Sequence, residues 1–166
     1  MKKTYSAFFL VLAFFSLVTF MLSNSKKVQA DEIFNVKSKS CYVIDYDSDR
    51  VIYSKNENER LPIASMCKIM TLNIIFDEIE KGTFSLTDDI FVSETASGMG
   101  GSQIFLEGNT NYKAEELIKG IVVASANDAC VAFAEKISGS EQNFVALMNK
   151  TASELNMNDT VFTNCT

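Results

Sequence analysis

The sequence contains no histidine, a single proline and, beyond its first thirty residues, no run of basic residues. Each absence removes a class of function. Without histidine there is no Ser-His-Asp triad, so any nucleophile must be activated by a different base. A zinc site would have to be built from thiolates and carboxylates alone, and Cys41, Cys67, Cys130 and Cys165 are widely spaced with no Cys-x-x-Cys. No metal and no other cofactor is expected. The lack of a basic run in an acidic chain (15 Lys and Arg against 21 Asp and Glu) argues against nucleic acid as a partner. No repeat, low-complexity tract or linker is present.

Four of the fifteen basic residues, Lys2, Lys3, Lys26 and Lys27, lie in the first thirty positions. Lys2 and Lys3 precede a largely apolar, uncharged run over residues 7–22, and Val28-Gln29-Ala30 places small residues before Asp31. This pattern reads as a secretory signal peptide over residues 1–30, cleaved before Asp31. The alternative is an uncleaved anchor helix, for which roughly 16 apolar residues fall short of a comfortable span. Either way the remainder is exported. Cleavage leaves a single domain of 136 residues, 31–166, with 11 basic and 21 acidic side chains. Four cysteines in an exported chain allow three pairings of two disulfides. Cys67 and Cys130 sit in apolar helical contexts, which favours buried free thiols.

Two strand-like runs, 41–45 and 51–54, flank a polar Asp47-Ser48-Asp49 turn and predict a β-hairpin. Pro62 then precedes a helix over 65–80, apolar on nearly every side and so expected to be buried, with Lys81-Gly82 ending it. Residues 82–110 are turn-rich. "SGMGGSQ" in that stretch lacks the Gly-Lys-Ser/Thr of a phosphate loop and reads as an ordinary loop. A helix from about Lys113 carries Leu117, Ile118, Ile121 and Val122 on one face. "SAND" breaks it at Ser125. A short helix follows to about Ile137, and Ser140 opens another through Phe144, Leu147 and Met148 to about Leu155. The closing "VFTNCT" reads as a turn or incipient strand.

Within the apolar helix stand Ser65 and Lys68, three residues apart and therefore on one face. Ser65 would lie in the first turn, among free N–H groups that favour negative charge. Lys68 would be carried inward, where an apolar setting disfavours an ammonium and suits a base. A base beside a hydroxyl is what a serine nucleophile needs. The spacing alone is not decisive. Ser23 and Lys26 share it inside the export signal, and Lys68 could snorkel to solvent while Ser65 merely caps the helix. Sixty residues later, "ASANDA" offers a hydroxyl (Ser125) and a carboxamide (Asn127) at a helix break, where an ordinary cap is the plain alternative.

Ser-x-x-Lys followed by Ser-x-Asn is the paired signature of penicillin-binding proteins and class A β-lactamases. With "PIASMCKIMT", "FVSETA", "GSQIFLEGN" and "EELIKGIVVASANDACVAFAEKISGSEQNFVALMNKTASELNM", residues 36–166 resemble the low-molecular-mass penicillin-binding proteins of the D-alanyl-D-alanine carboxypeptidase type, peptidase S11. The resemblance implies an α+β fold of the β-lactamase/DD-peptidase kind, an antiparallel sheet with a helical subdomain. It implies that Ser65 is the acylated nucleophile, Lys68 its general base, Ser125 a proton relay to the leaving D-alanine, and Asn127 a ligand of the substrate amide. The implied substrate is the peptidoglycan stem peptide, with β-lactams as inhibitors, at the extracytoplasmic face of the cell membrane, the periplasm or the cell wall. Membrane association would come only through a region beyond residue 166.

Two positions depart from the pattern. Cys67 replaces the usual threonine or small polar residue; two places from Ser65, it is expected in the core. The family's third motif, Lys-Thr-Gly on a strand, has no counterpart in this sequence. The chain is therefore expected to be the N-terminal part of the catalytic domain, truncated before that strand and inactive by itself. A catalytically inert fragment is one alternative reading. A β-lactamase is another, but Glu135, Glu141 and Glu154 lie in helical stretches without the context of a deacylating base. The exported protein is expected to begin at Asp31, and N-terminal sequencing that returned Met1 would contradict the cleavage.

Overall fold

The computed structural model describes residues 36–166, so the expected export signal over 1–30 lies outside the described residues. The chain divides into two compact units, one ending at Glu59 and one spanning Arg60–Thr166. The first is a hairpin. Strand β1 (Cys41–Ile44) pairs antiparallel with β2 (Val51–Lys55), with an irregularity in register after Val43. The expected turn is built by Asp45, whose carboxylate accepts from the Ser48 N–H at 3.0 Å and the Ser48 hydroxyl, an Asx-type turn. Lys55 ties the approaching segment to the hairpin by donating to the carbonyls of Val36 and Ser38 at 2.9 and 2.8 Å.

The second unit opens on a 3-10 turn (Ala64–Cys67) that runs directly into helix α1 (Lys68–Glu80). The exit of α1 is a Schellman motif, in which Gly82 donates to Ile79 and Thr83 to Glu78, each at 3.0 Å. The expectation of a helix buried on every side is not met. Lys68, Met70, Thr71, Ile74 and Ile75 face inward, but Met66, Ile69 and Phe76 are 64, 68 and 49 % exposed.

Residues 82–110, expected to be turns, hold more order than their sequence suggests. Strand β3 (Asp89–Val92) pairs antiparallel with β4 (Thr110–Lys113), and the short helix α2 (Glu94–Ser97) lies between them. Ile90 and Val92 point into the core while Asp89 and Phe91 point out, the alternation of a half-buried strand. Ser93 caps α2 by accepting from the Ala96 N–H at 3.0 Å.

Lys113 is the N-cap of helix α3 (Ala114–Ala124) rather than its first residue. Leu117, Ile118 and Ile121 are buried as expected, but Val122 is 63 % exposed, and Ala114 and Gly120 complete the inward face instead. Helix α4 (Asn127–Ser138) is the centre of the unit. Every residue from Asp128 to Ala134 is buried, and its alanines let α1, α2, α3, β3 and the last helix approach its backbone closely. Phe133 stacks on Phe84 with ring centroids 5.9 Å apart. Helix α5 (Glu141–Glu154) starts where expected, Ser140 accepting from the Asn143 N–H at 3.2 Å.

The closing residues form neither strand nor hairpin. They make an irregular strap across α1 and α5, with Phe162 and Cys165 buried. Asn149 on α5 brackets Phe162, donating Nδ2 to its carbonyl at 2.8 Å and accepting its N–H on Oδ1 at 2.9 Å. That side chain replaces a strand partner for a backbone with no ladder of its own. The Asn149→Ala substitution is expected to destabilise the folded protein by about 1–3 kcal/mol, because both backbone groups of Phe162 lose their partner. Urea denaturation at unchanged m-value measures it.

Candidate active site

Ser65 sits on the 3-10 turn and Lys68 on the first position of α1. A 3-10 turn has three residues per turn, so side chains at i and i+3 eclipse, and this geometry aligns the pair better than the expected α-helical turn would. Lys68 is 4 % exposed and its Nζ donates to Ser65 Oγ at 3.2 Å. The hydroxyl itself faces solvent. Lys68 therefore does not snorkel. Nor does Ser65 act as a cap, since neither the 3-10 turn nor α1 has a side-chain cap bond. The arrangement is a buried amine addressed to an accessible hydroxyl.

Cys67 turns the other way, as expected, and is buried. Its thiol donates to the Thr166 carbonyl at 2.8 Å, and one turn later Thr71 donates Oγ1 to the Cys165 carbonyl at 2.8 Å. The strap thus seals the side of α1 opposite the serine. Burial pushes the Cys67 thiol above its ordinary range, with Lys68 opposing the shift, so Cys67 is poorly suited to act as a thiolate nucleophile.

The second motif lies where α3 ends and α4 begins. Ser125 is the C-cap of α3, in the left-handed region at φ +57, with its N–H on the Gly120 carbonyl. Its Oγ is buried and finds no hydrogen-bond partner among the described residues. A desolvated hydroxyl left unpaired costs about 1–3 kcal/mol unless a water or ligand meets it. Asn127 opens α4 but is not its cap; Ala126 is. Asn127 Nδ2 donates to the Gly100 carbonyl at 2.7 Å, and its backbone N–H donates to the Ser102 carbonyl at 2.7 Å. The "SGMGGSQ" stretch is thereby explained: Gly101 has φ +80, and a Cβ there would lie 2.8 Å from Asn127 Nδ2.

The two pairs are carried on packed helices, α1 against α4. No hydrogen bond joins Ser65 or Lys68 to Ser125 or Asn127 among the described residues. The glutamates weighed for a β-lactamase are occupied elsewhere. Glu135 accepts from Ser93 Oγ at 3.0 Å, Glu141 from the Cys165 N–H at 3.2 Å, and Glu154 pairs with Lys150 at 3.6 Å. The sequence reading missed Asp128, which is fully buried and accepts from the N–H groups of Ile104, Leu106 and Ala129. An aspartate in a helix's first turn gave no signal of partners twenty residues away.

Among the described residues, seven non-glycine residues have positive φ; four are Asp or Asn, which tolerate it, and the others, all in the second unit, are Ala64, Phe105 and Ser125. Each adjoins or belongs to a segment that shapes this site.

Residues 24–166 match the family model for D-alanyl-D-alanine carboxypeptidase, Peptidase S11. The chain belongs to the D-alanyl-D-alanine carboxypeptidase family. It is 50 % identical over 130 residues to the D-alanyl-D-alanine carboxypeptidase DacF of Bacillus subtilis, covering 78 % of this chain and 33 % of that one. Among solved structures it is similar to the carboxypeptidase DacD of Francisella tularensis, with 36 % identity and a TM-score of 0.77 over 79 % of this chain and 32 % of that one. Penicillin binding protein 5 of Haemophilus influenzae matches with 32 % identity and a TM-score of 0.75, over 80 and 39 % of the two chains. The chain spans about a third of the length of its curated relatives. These likenesses give it the α+β fold of the DD-peptidases, which the helical unit and the two small antiparallel sheets match.

The four cysteines of the family member are free thiols. Burial pushes Cys130 up to about 12, with Lys68 opposing, and raises Cys165 as well. The unfolded chain releases a thiol proton above pH 9.0 while the folded chain retains it to about 12 at Cys130, so stability held below pH 9 is lost as pH rises through that window. Urea midpoints are expected to fall above about pH 9, and to fall less steeply in Cys130→Ala.

Proposed function

We propose that the protein carrying this chain is an exported serine D-Ala-D-Ala carboxypeptidase that removes the terminal D-alanine of peptidoglycan stem peptides. The observation that carries the reading is the buried Lys68 amine directed at the accessible Ser65 hydroxyl. In the proposed reaction Lys68 takes the Ser65 proton as Oγ attacks the carbonyl carbon of the penultimate D-alanine. The C–N bond to the last residue breaks. The unpartnered Ser125 hydroxyl passes a proton to the leaving amine, and Asn127 holds the substrate's amide. Water then releases the acyl group from Ser65. A β-lactam presents a strained amide of the same shape and would acylate the same oxygen.

The acidic balance argues against nucleic acid as a partner, and the expected export signal over residues 1–30 supports a reaction at the extracytoplasmic face of the membrane, periplasm or cell wall. Among the described residues no helix is long and apolar enough to cross a membrane. Absence of Lys-Thr-Gly from this sequence supports the second reading, that residues 31–166 in isolation do not turn over substrate. On this reading the Lys-Thr-Gly motif would hold the substrate carboxylate, and poor positioning alone can forfeit several orders of magnitude in rate.

Fluorescent penicillin is expected to label the full-length protein once, at Ser65. Ser65→Ala should abolish labelling, and Lys68→Ala should slow it by about 10²–10⁴-fold, the usual worth of a positioned base. Undiminished labelling of Ser65→Ala would identify a different nucleophile and overturn the assignment.

A further inference from the structure

Asp128 takes no part in the reaction just proposed, yet it is completely buried and salt-bridged to nothing among the described residues. A carboxylate in that position is expensive unless every lone pair is used. Its partners are all backbone. The Ala129 N–H donates to Oδ1 at 2.9 Å from the first turn of α4. The Leu106 N–H donates to Oδ2 at 3.1 Å, and the Ile104 N–H is shared between the two oxygens at 3.2 and 3.3 Å. Two N–H groups flanking one left-handed residue converge on an anion as a backbone nest does. The residue between them is Phe105, at φ +59 and 79 % exposed. A phenylalanine does not adopt that backbone freely, so the grip on either side of it outweighs its local preference.

The segment that Asp128 grips touches both sides of the Ser125–Asn127 turn. On one side, the Ser102 and Gly100 carbonyls take the backbone N–H and the side-chain amide of Asn127. On the other, Ile104 lies on Gly120 of α3, so close that a Cβ at Gly120 would fall 2.6 Å from Ile104 Cδ1. The Gly120 carbonyl in turn receives the Ser125 N–H, and the Ala126 N–H at 3.3 Å. The loop and the turn are thus braced at three points, and among the described residues Asp128 is the only side chain that hydrogen-bonds from the start of α4 to the backbone of residues 104–106.

We propose that Asp128 is a positioning residue for the reaction: by locking residues 104–106 onto α4 it fixes where Ser125 and Asn127 present their polar atoms. The proposal rests on the acyl-transfer roles given to those two residues. It assigns to Asp128 no contact with substrate and no proton transfer.

The test uses the full-length protein and fluorescent penicillin, reading the rate constant and the final amplitude of labelling separately. Asp128→Asn keeps one acceptor oxygen and should slow labelling by about tenfold; Asp128→Ala should slow it further, both at full amplitude. Lost amplitude at an unchanged rate would mean that Asp128 only holds the fold together, and an unchanged rate in folded variants would mean that the brace is dispensable; either result overturns the proposal. Should both variants fail to fold, Asp128→Glu decides. It keeps the carboxylate but moves it one methylene away from the N–H groups of Ile104, Leu106 and Ala129, and a wild-type rate in that variant would overturn the proposal. If the unsubstituted protein takes no penicillin, the functional reading fails by itself and hydrogen exchange decides the positioning claim. Asp128→Asn must then release residues 122–128 together with 100–106, and release of the loop alone would overturn it.

Discussion

Lys68 has to be inside the protein and Ser65 outside it, three residues apart on one chain. That constraint sets much of the architecture around it. The lysine is carried inward by the first residue of α1, and the serine is kept outward by a tighter turn that stacks it over the lysine. The inward face of α1 must then be closed without a competing partner for the amine. Closure comes from the alanine-rich α4 on one side and from the strap at residues 162–166 on the other. The strap gives the Thr166 and Cys165 carbonyls to Cys67 and Thr71. Asn149 and Glu141 on α5 hold the strap in place by its backbone N–H and carbonyl groups.

The parts legible in the sequence are those specified by neighbours along the chain. Helix α5 follows from Ser140 and its apolar spacing, the break at Ser125 from "SAND", and the hairpin from its Asp-rich turn. The serine and lysine could be paired because three residues on a helix always share a face. The parts that were not legible depend on partners far away. Strand β3 is recognisable only through β4, more than fifteen residues later, because four residues have too little periodicity to identify a strand alone. Val122 falls on the apolar face of α3 by spacing, yet it is exposed, because spacing shows a face and not which neighbours cover it. The exposed Met66, Ile69 and Phe76 mislead for the same reason: composition shows that a helix is apolar and not which neighbours cover it.

Asp128 and Asn127 show how adjacent residues can be read unequally well. Both belong to one short motif at a helix start, and both look like capping residues. Neither caps α4 with its side chain; each reaches into the loop at 100–106 instead. The backbone conformations there are the ones a chain avoids when left to itself, a serine and a phenylalanine in the left-handed region. Such strain survives only where surrounding bonds over-determine it, and here the surrounding bonds are those of Asp128, Gly120 and Asn127.

The strap also imposes an order in time. Its hydrogen bond from Thr71 to Cys165 joins residues 94 apart, and the bond from Cys67 to Thr166 joins residues 99 apart. At about 5–20 residues per second, a ribosome needs on the order of 5–20 s to travel that distance. Throughout that interval the nascent helix has Cys67 and Thr71 unsealed and its inner face without a complete wall. The chain therefore spends that period unable to close the interior in which Lys68 lies, and anything that handles it then meets an open helix rather than a finished site.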